Sequence, residues 1–197
     1  NDRLGIPGDF VTPEQYQPRL TPWGHTWRLV ICLALSGLVW SGAVVDQWQL
    51  APALFWLDLV TGVAAYVLMF YRRRWPLTVA LVTSALTLVS GTAAGPATLA
   101  SISLATRQEF RKVVLVGVVG IIAAQGYADW QADDEPAWLT FGFNVAITIG
   151  MMGWGMYIGS RRQLMWTLRA RAERAEAEQE ARVTQARTNE RSRIAQE

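Results

Sequence analysis

Asp58 sits inside an apolar run, residues 52–71, about two helical turns from its start at ~1.5 Å per residue. A carboxylate held at that depth in a bilayer costs about 2.5–3.5 kcal/mol even on permissive insertion scales, so a lipid-facing, unpaired Asp58 is disfavoured. Two chemistries fit. Asp58 touches a ligand, ion or proton and acts as a switch, or it faces inward and is satisfied by hydroxyls from the Ser/Thr-rich runs that follow. Gln125 and Asn144 are milder polar groups in apolar runs, and their amides suit hydrogen bonds between helices. Trp40, Trp56 and Trp154 lie deeper than the other tryptophans and could line a pocket for an apolar stimulus.

Metal chemistry has little to work with. His25 is the only histidine and Cys32 the only cysteine, so no metal site and no internal disulfide are expected. Haem on His25 as a single axial ligand is the weaker alternative to an interfacial structural histidine.

The elements that must hold these groups are read from hydropathy. Half of the chain is apolar (51 %), yet its charges gather in short clusters and in the C-terminal third, which describes a multi-pass membrane protein with a polar tail. Residues 1–26 form a polar N-terminal arm with Pro7, Pro13, Pro18 and Pro22, a spacing that forbids a long helix. The arm is too long and polar for the first region of a secretory signal. Apolar spans follow at 27–45, 52–71, 75–90, 97–106, 113–128 and 137–159, and together they define a six-helix transmembrane domain over residues 27–160. The fourth is short and rich in Ser and Thr, so a tilted crossing competes with a re-entrant segment, and the charges favour the crossing.

Six crossings sort the charges. Arg19, Arg28, Arg72, Arg73, Arg74, Arg107, Arg111, Lys112, Arg161 and Arg162 fall on one side. Asp46, the neutral 91–96 turn and the acidic 129–135 link fall on the other. The excess of basic residues in short loops marks the cytoplasmic side, so both termini are expected there, in a cell membrane. The same flanking role accounts for the net charge of +2 without a nucleic-acid partner.

Beyond the last span the helical pattern continues. Leu164, Leu168, Ala172, Ala175, Gln179, Val183, Ala186, Glu190 and Ile194 recur at spacings of 4, 4, 3, an eleven-residue period suited to a straight or slightly right-handed pairing of helices. Residues 161–188 are therefore expected to form a cytoplasmic signalling helix, paired in parallel with its copy as a coiled coil in a homodimer. Gly155 and Gly159 form a Gly-x-x-x-Gly pair just before it, fit for a close dimer or rearrangement contact.

Residues 190–197 read Glu-Arg-Ser-Arg-Ile-Ala-Gln-Glu. This stretch resembles the start of the dimerisation and phosphoacceptor helix of sensor histidine kinases of the NarL/DesK-like class, and residues 189–197 would be the first part of that helix. The resemblance covers only the last eight residues, after a membrane region of the kind such kinases carry. It implies that the phosphoacceptor histidine lies two positions beyond Glu197, so no catalytic residue is expected within the chain. It also implies ATP and Mg as cofactors of an intact kinase, and a cognate DNA-binding response regulator as its partner. The fold expected is all-α, with a stimulus acting in or at the lipid bilayer. The competing reading is a small polytopic transporter or channel with a coiled-coil tail, suggested by the intramembrane acid.

Overall fold

A computed structural model describes residues 22–131 and 136–196, and every regular element among them is a helix. The N-terminal arm through residue 21 and most of the acidic link, residues 132–135, lie outside the described residues. The chain divides into two compact units, one formed by Arg19–Ser160 and one that includes Arg161–Glu197.

In the first unit, α1 (Pro22–Ser41) is followed by a short α2 (Val44–Leu50) and by α3 (Pro52–Phe70). Then come α4 (Pro76–Leu86), α5 (Ala94–Ala105), α6 (Phe110–Trp130) and the start of α7 (Ala137–Gln196). Pro52 and Pro76 open α3 and α4, where a missing N–H costs nothing and the fixed φ suits the first turn. Helix α1 begins at Pro22, so residues 22–26 of the expected arm are helical.

Three helices are long and apolar enough to cross a membrane: Pro52–Arg73, Phe110–Trp130 and Ala137–Arg187. A fourth candidate is the pair Thr26–Ser41 and Val44–Leu50, bent by 55° at the Gly42 break. The expected third and fourth spans come out shorter than a crossing requires. Helix α4 has 11 residues and α5 has 12, or roughly 16–18 Å at ~1.5 Å per residue, against a hydrocarbon core of about 30 Å. The 91–96 segment is not a solvent loop either: Gly91, Ala93, Gly95 and Pro96 are buried. It folds as a 3₁₀ turn, Gly91–Ala93, that leads directly into α5.

The hairpin of α4 and α5 fills the bundle instead of bounding it. Val79 and Ala80 of α4, Ala100 and Leu104 of α5, and Val116 of α6 make the core, with Leu68, Leu77, Leu81 and Met152 packed around it. Small residues let α5 sit there, and its hydroxyls return to its own backbone, Thr98 to the Ala94 carbonyl and Ser103 to the Leu99 carbonyl. Gly95 is where α5 meets the backbone of α1: a Cβ there would collide with the Cys32 carbonyl. Since that obstacle is backbone, Gly95→Ala should destabilise the bundle by about 1–3 kcal/mol, against the gain that Ala normally brings to a helix. Thermal unfolding of the detergent-solubilised protein measures this, and an unchanged or raised midpoint would refute the tight α1–α5 contact.

Candidate functional site around Asp58

Asp58 is completely buried, and its partners come from three separate parts of the chain. The Ser90 and Thr92 hydroxyls each lie 2.8 Å from Oδ1, and the Thr92 N–H donates to the same oxygen at 3.1 Å. Oδ2 accepts from the Gly91 N–H at 3.1 Å, the Tyr127 hydroxyl at 3.3 Å and Gln47 Nε2 at 3.4 Å. The two short hydroxyls also reach the Asp58 carbonyl, at 3.0 Å and 2.9 Å, so each shares its single proton between that oxygen and Oδ1. Six donors thus surround two oxygens that offer about four lone-pair sites, enough to satisfy a fully ionised carboxylate.

The local chain conformation explains why the donors converge. Ser90 is extended (φ −145°, ψ 114°) and caps the next turn, its Oγ accepting from the Ala93 N–H at 3.2 Å. That leaves the N–H groups of Gly91 and Thr92 without helical acceptors, the usual state of a helix N-terminus. Asp58 supplies the acceptor and a negative charge at the positive end of α5's dipole, an arrangement worth about 0.3–2 kcal/mol. Irregular backbone inside a bundle requires such partners, because no water is there to replace them.

Two glycines leave room. A Cβ on Gly91 would stand 2.6 Å from the Tyr127 hydroxyl oxygen, and one on Gly62 would collide with the Thr92 hydroxyl. The network continues on both sides. Trp40 Nε1 donates to Gln47 Oε1 at 3.0 Å. Ser36 accepts from the Gly95 N–H at 3.1 Å and donates to the Thr92 carbonyl at 2.6 Å, so the Tyr66 hydroxyl, 3.0 Å away, donates to Ser36.

The two backbone N–H groups and the Gln47 amide present protons to Asp58, the three hydroxyls can turn theirs toward it, and among the described residues no cluster of three or more His, Cys, Asp and Glu side chains is assembled. His25 lies in α1, but its side chain is outside the described residues, as is any haem reading built on it. Tyr127→Phe removes a donor to Asp58 and an oxygen that the Gln47 amide and the Gly91 N–H approach, so it should cost about 1.5–3 kcal/mol, the usual range for a bond to a charged group. Chemical denaturation in detergent would show it, and a loss below the measurement error would mean the 3.3 Å contact contributes nothing.

The other expected site residues lie apart from Asp58. Trp56 is two residues away on α3, about 200° round the helix, and its ring packs on Phe55 at 5.6 Å. Phe55 also meets Trp40 and Trp48, at 5.4 and 5.0 Å. Asn144 of α7 donates to Gln125 of α6 at 3.4 Å, and Gln125 donates to Asp129 at 2.7 Å, a separate interhelical pair. Trp154 is 62 % exposed, and its ring lies 5.9 Å from that of its helix neighbour Tyr157.

At the other end of α5 lie Gly155 and Gly159. A Cβ on Gly155 would stand 2.7 Å from the Ala105 Cβ and 3.0 Å from the Ile102 carbonyl oxygen, and one on Gly159 would collide with the Thr106 carbonyl. Both glycines therefore face α5 of their own chain. Beside them, Gln108 takes a left-handed conformation (φ 60°), and its Nε2 donates to Ser160 Oγ at 2.8 Å. Helix α5 is thus anchored by Asp58 at its start and set against α7 at its end. Leu164, Leu168, Val183 and Ile194 of the second unit are exposed, as are Ala172, Ala175 and Ala186.

A family model described as "Domain of unknown function (DUF8318)" matches residues 25–164. The chain belongs to that family. The DUF8318 region takes in α1 from residue 25, α2 to α6 and the part of α7 that packs on α5, so the Asp58 network and the Gly155/Gly159 contact both fall inside it. No curated protein and no solved structure matches the chain significantly.

Sequence reasoning reaches Asp58 and hydroxyls of the Ser/Thr-rich runs that follow it, the first of which ends at Ser90, but gives Gly91, Gln47 and Tyr127 no role. One signal was available. Ser90-Gly91-Thr92 ahead of a helix is a capping sequence whose N–H groups need an acceptor, and Asp58 is the acid nearest to it within an apolar run.

Proposed function

We propose that the DUF8318 region is the membrane-embedded input part of a dimeric sensor histidine kinase, and that α7 carries its state toward the catalytic part. The observation that carries this reading is the course of α5, fixed to Asp58 at one end and seated against Gly155 and Gly159 at the other. A rearrangement at Asp58 has a short mechanical route to the residues of α7 that precede Arg161. From there α7 continues without a break to Gln196 and includes the kinase-like residues 190–196. A stimulus acts only through its different affinity for two arrangements of the bundle, and the many bonds at Asp58 make one arrangement well defined.

The topology we infer keeps both termini on the cytoplasmic side of a cell membrane. Two short helices that rise and return as a hairpin restore the chain to the side it left, as two full crossings would. Arg72, Arg73, Arg74, Arg107, Arg111 and Lys112 therefore share a side in either case. The transporter reading has less support, since the bonds of Asp58 go to fixed groups of its own bundle, among them the Gly91 and Thr92 N–H groups.

The test uses the natural full-length protein in membrane vesicles with radiolabelled ATP and Mg. The reading expects acid-labile phosphate on a histidine two positions after Glu197, and its loss when that histidine is replaced. A different residue at that position would overturn it. So would ion or solute flux in liposomes without any phosphorylation.

A further inference from the structure

Among the described residues Arg72 is the one buried cation, 9 % exposed, and no carboxylate pairs with it. We propose that Arg72 holds the phosphate of an anionic phospholipid in the gap between α1 and α3, at the basic end of the bundle. This rests on the membrane part of the function proposed above and needs neither a kinase nor a dimer.

The gap follows from the packing. Helices α1 and α3 each rest on α5, and little of either touches the other. The Tyr66 hydroxyl of α3 meets Ser36 of α1 at 3.0 Å and closes the gap on its inner side. Arg72 lies six residues beyond Tyr66, in the 3₁₀ turn Tyr71–Arg73, about 10 Å nearer the basic end. Its guanidinium turns back into the bundle. Nη1 donates to the Met69 carbonyl at 3.1 Å, and Arg28 and Cys32 of α1 lie within electrostatic reach. Arg73 and Arg74 are exposed, as the flanking role of a basic cluster requires. Arg72 departs from that role, and the departure carries the proposal.

One bond leaves most of the guanidinium unused. It offers five N–H donors in a planar fork, and the carbonyl at the end of α3 takes one of them. Among the described residues its other two nitrogens make no bond, yet neither is sealed from the surface. The negative end of the α3 dipole offsets part of the charge. The neighbouring charges do the opposite, since Arg28 and Arg73 are both positive. Among the described residues the acid at this end is Glu109, and it pairs with Lys112. A buried charge needs a partner of good geometry, and the bundle does not supply one here.

A phosphate with two free oxygens matches the fork. A phospholipid brings that group to the right height. Trp27, Tyr71 and Trp75 are exposed at the same end, as rings at headgroup level are. Deeper in, Val30 and Ile31 of α1 and Val63 and Val67 of α3 are exposed and offer apolar surface to acyl chains. A free phosphate would leave that surface unused. Basic pockets between membrane helices recognise anionic headgroups by this combination.

The experiment takes the natural full-length protein in detergent with equimolar phosphatidylglycerol and phosphatidylcholine of the same acyl chains, and reads bound lipid by native mass spectrometry. Both lipids carry a phosphate, but choline would set a further cation beside Arg28 and Arg73. Phosphatidylglycerol should be retained several-fold over phosphatidylcholine. Arg72→Gln should abolish that preference, while Arg74→Gln, at an exposed position over the Trp75 ring, should keep it. Arg72→Lys retains the charge and loses the fork, so its preference should fall several-fold, and it decides the matter if the Gln variant does not fold. No preference in the parent protein, an equal loss in the Arg72 and Arg74 variants, or an undiminished preference in Arg72→Lys would each overturn the proposal. So would displacement of the lipid by inorganic phosphate, which would mark a soluble anion as the ligand. No step uses ATP. Lipid selection without phosphorylation would reject the kinase reading and leave this site standing, and phosphorylation without lipid selection would do the reverse.

Discussion

Replacing Asp58 by alanine is expected to destabilise the bundle by about 2–5 kcal/mol, at ~1–3 kcal/mol for each buried donor left without an acceptor. The N–H groups of Gly91 and Thr92 are the ones stranded most completely, since the helix that follows offers them nothing. Ser90 and Thr92 keep the Asp58 carbonyl as an acceptor, so their hydroxyls lose less. Asp58→Asn is the sharper variant. It keeps the volume and one acceptor oxygen but turns an NH₂ toward groups that themselves donate, and should cost about 1–3 kcal/mol. Thermal unfolding in detergent measures both. A stable Asn variant with unaltered basal phosphorylation and stimulus response would count against Asp58 as part of the switching element.

The second large effect is a contrast of sign between two glycines. Gly37 of α1 has nothing within 4 Å of a built Cβ, so Gly37→Ala should be neutral or stabilise by up to ~1 kcal/mol through helix propensity. Gly159→Ala meets the Thr106 carbonyl, backbone that can yield only if α5 and α7 separate, and should cost about 1–3 kcal/mol. On the kinase reading proposed above, the Gly159 variant of the full-length protein should also shift basal phosphorylation, while the Gly37 variant should not. Equal effects of the two on stability would show that the α5–α7 contact is loose.

Both contacts are tertiary, which is why the sequence disclosed them unevenly. The positions of α3, α6 and α7 follow from apolar runs of sufficient length, a property each segment carries by itself. The sixteen residues 75–90 look like another such run. Helix α4 nevertheless ends at Leu86, and the turn that follows is held by an acceptor some thirty residues earlier, Asp58. The capping sequence Ser90-Gly91-Thr92 announces N–H groups in need of an acceptor, but only the fold brings a carboxylate from another helix to meet them. Tyr127 is the same case. It belongs to an ordinary apolar helix, and only the fold brings its hydroxyl to Oδ2. Gly155 and Gly159 suggested a close helix contact by their spacing alone, but spacing does not say which helix. The partner within the chain is the end of α5, itself made of small residues.

The short central hairpin has one more consequence. Helices α3 and α6 present most of their apolar surface outward, while seven of the twelve residues of α5 are buried. Perimeter helices answer a thinner or thicker bilayer by changing tilt, at a cost of fractions of a kcal/mol per Å of mismatch. Helix α5, bound at its start by fixed hydrogen bonds, acts as an inner ruler of constant length. On the membrane reading proposed above, a change of tilt around it would become a displacement between ruler and frame, felt first where Asp58 of α3 and Tyr127 of α6 meet the turn that begins it.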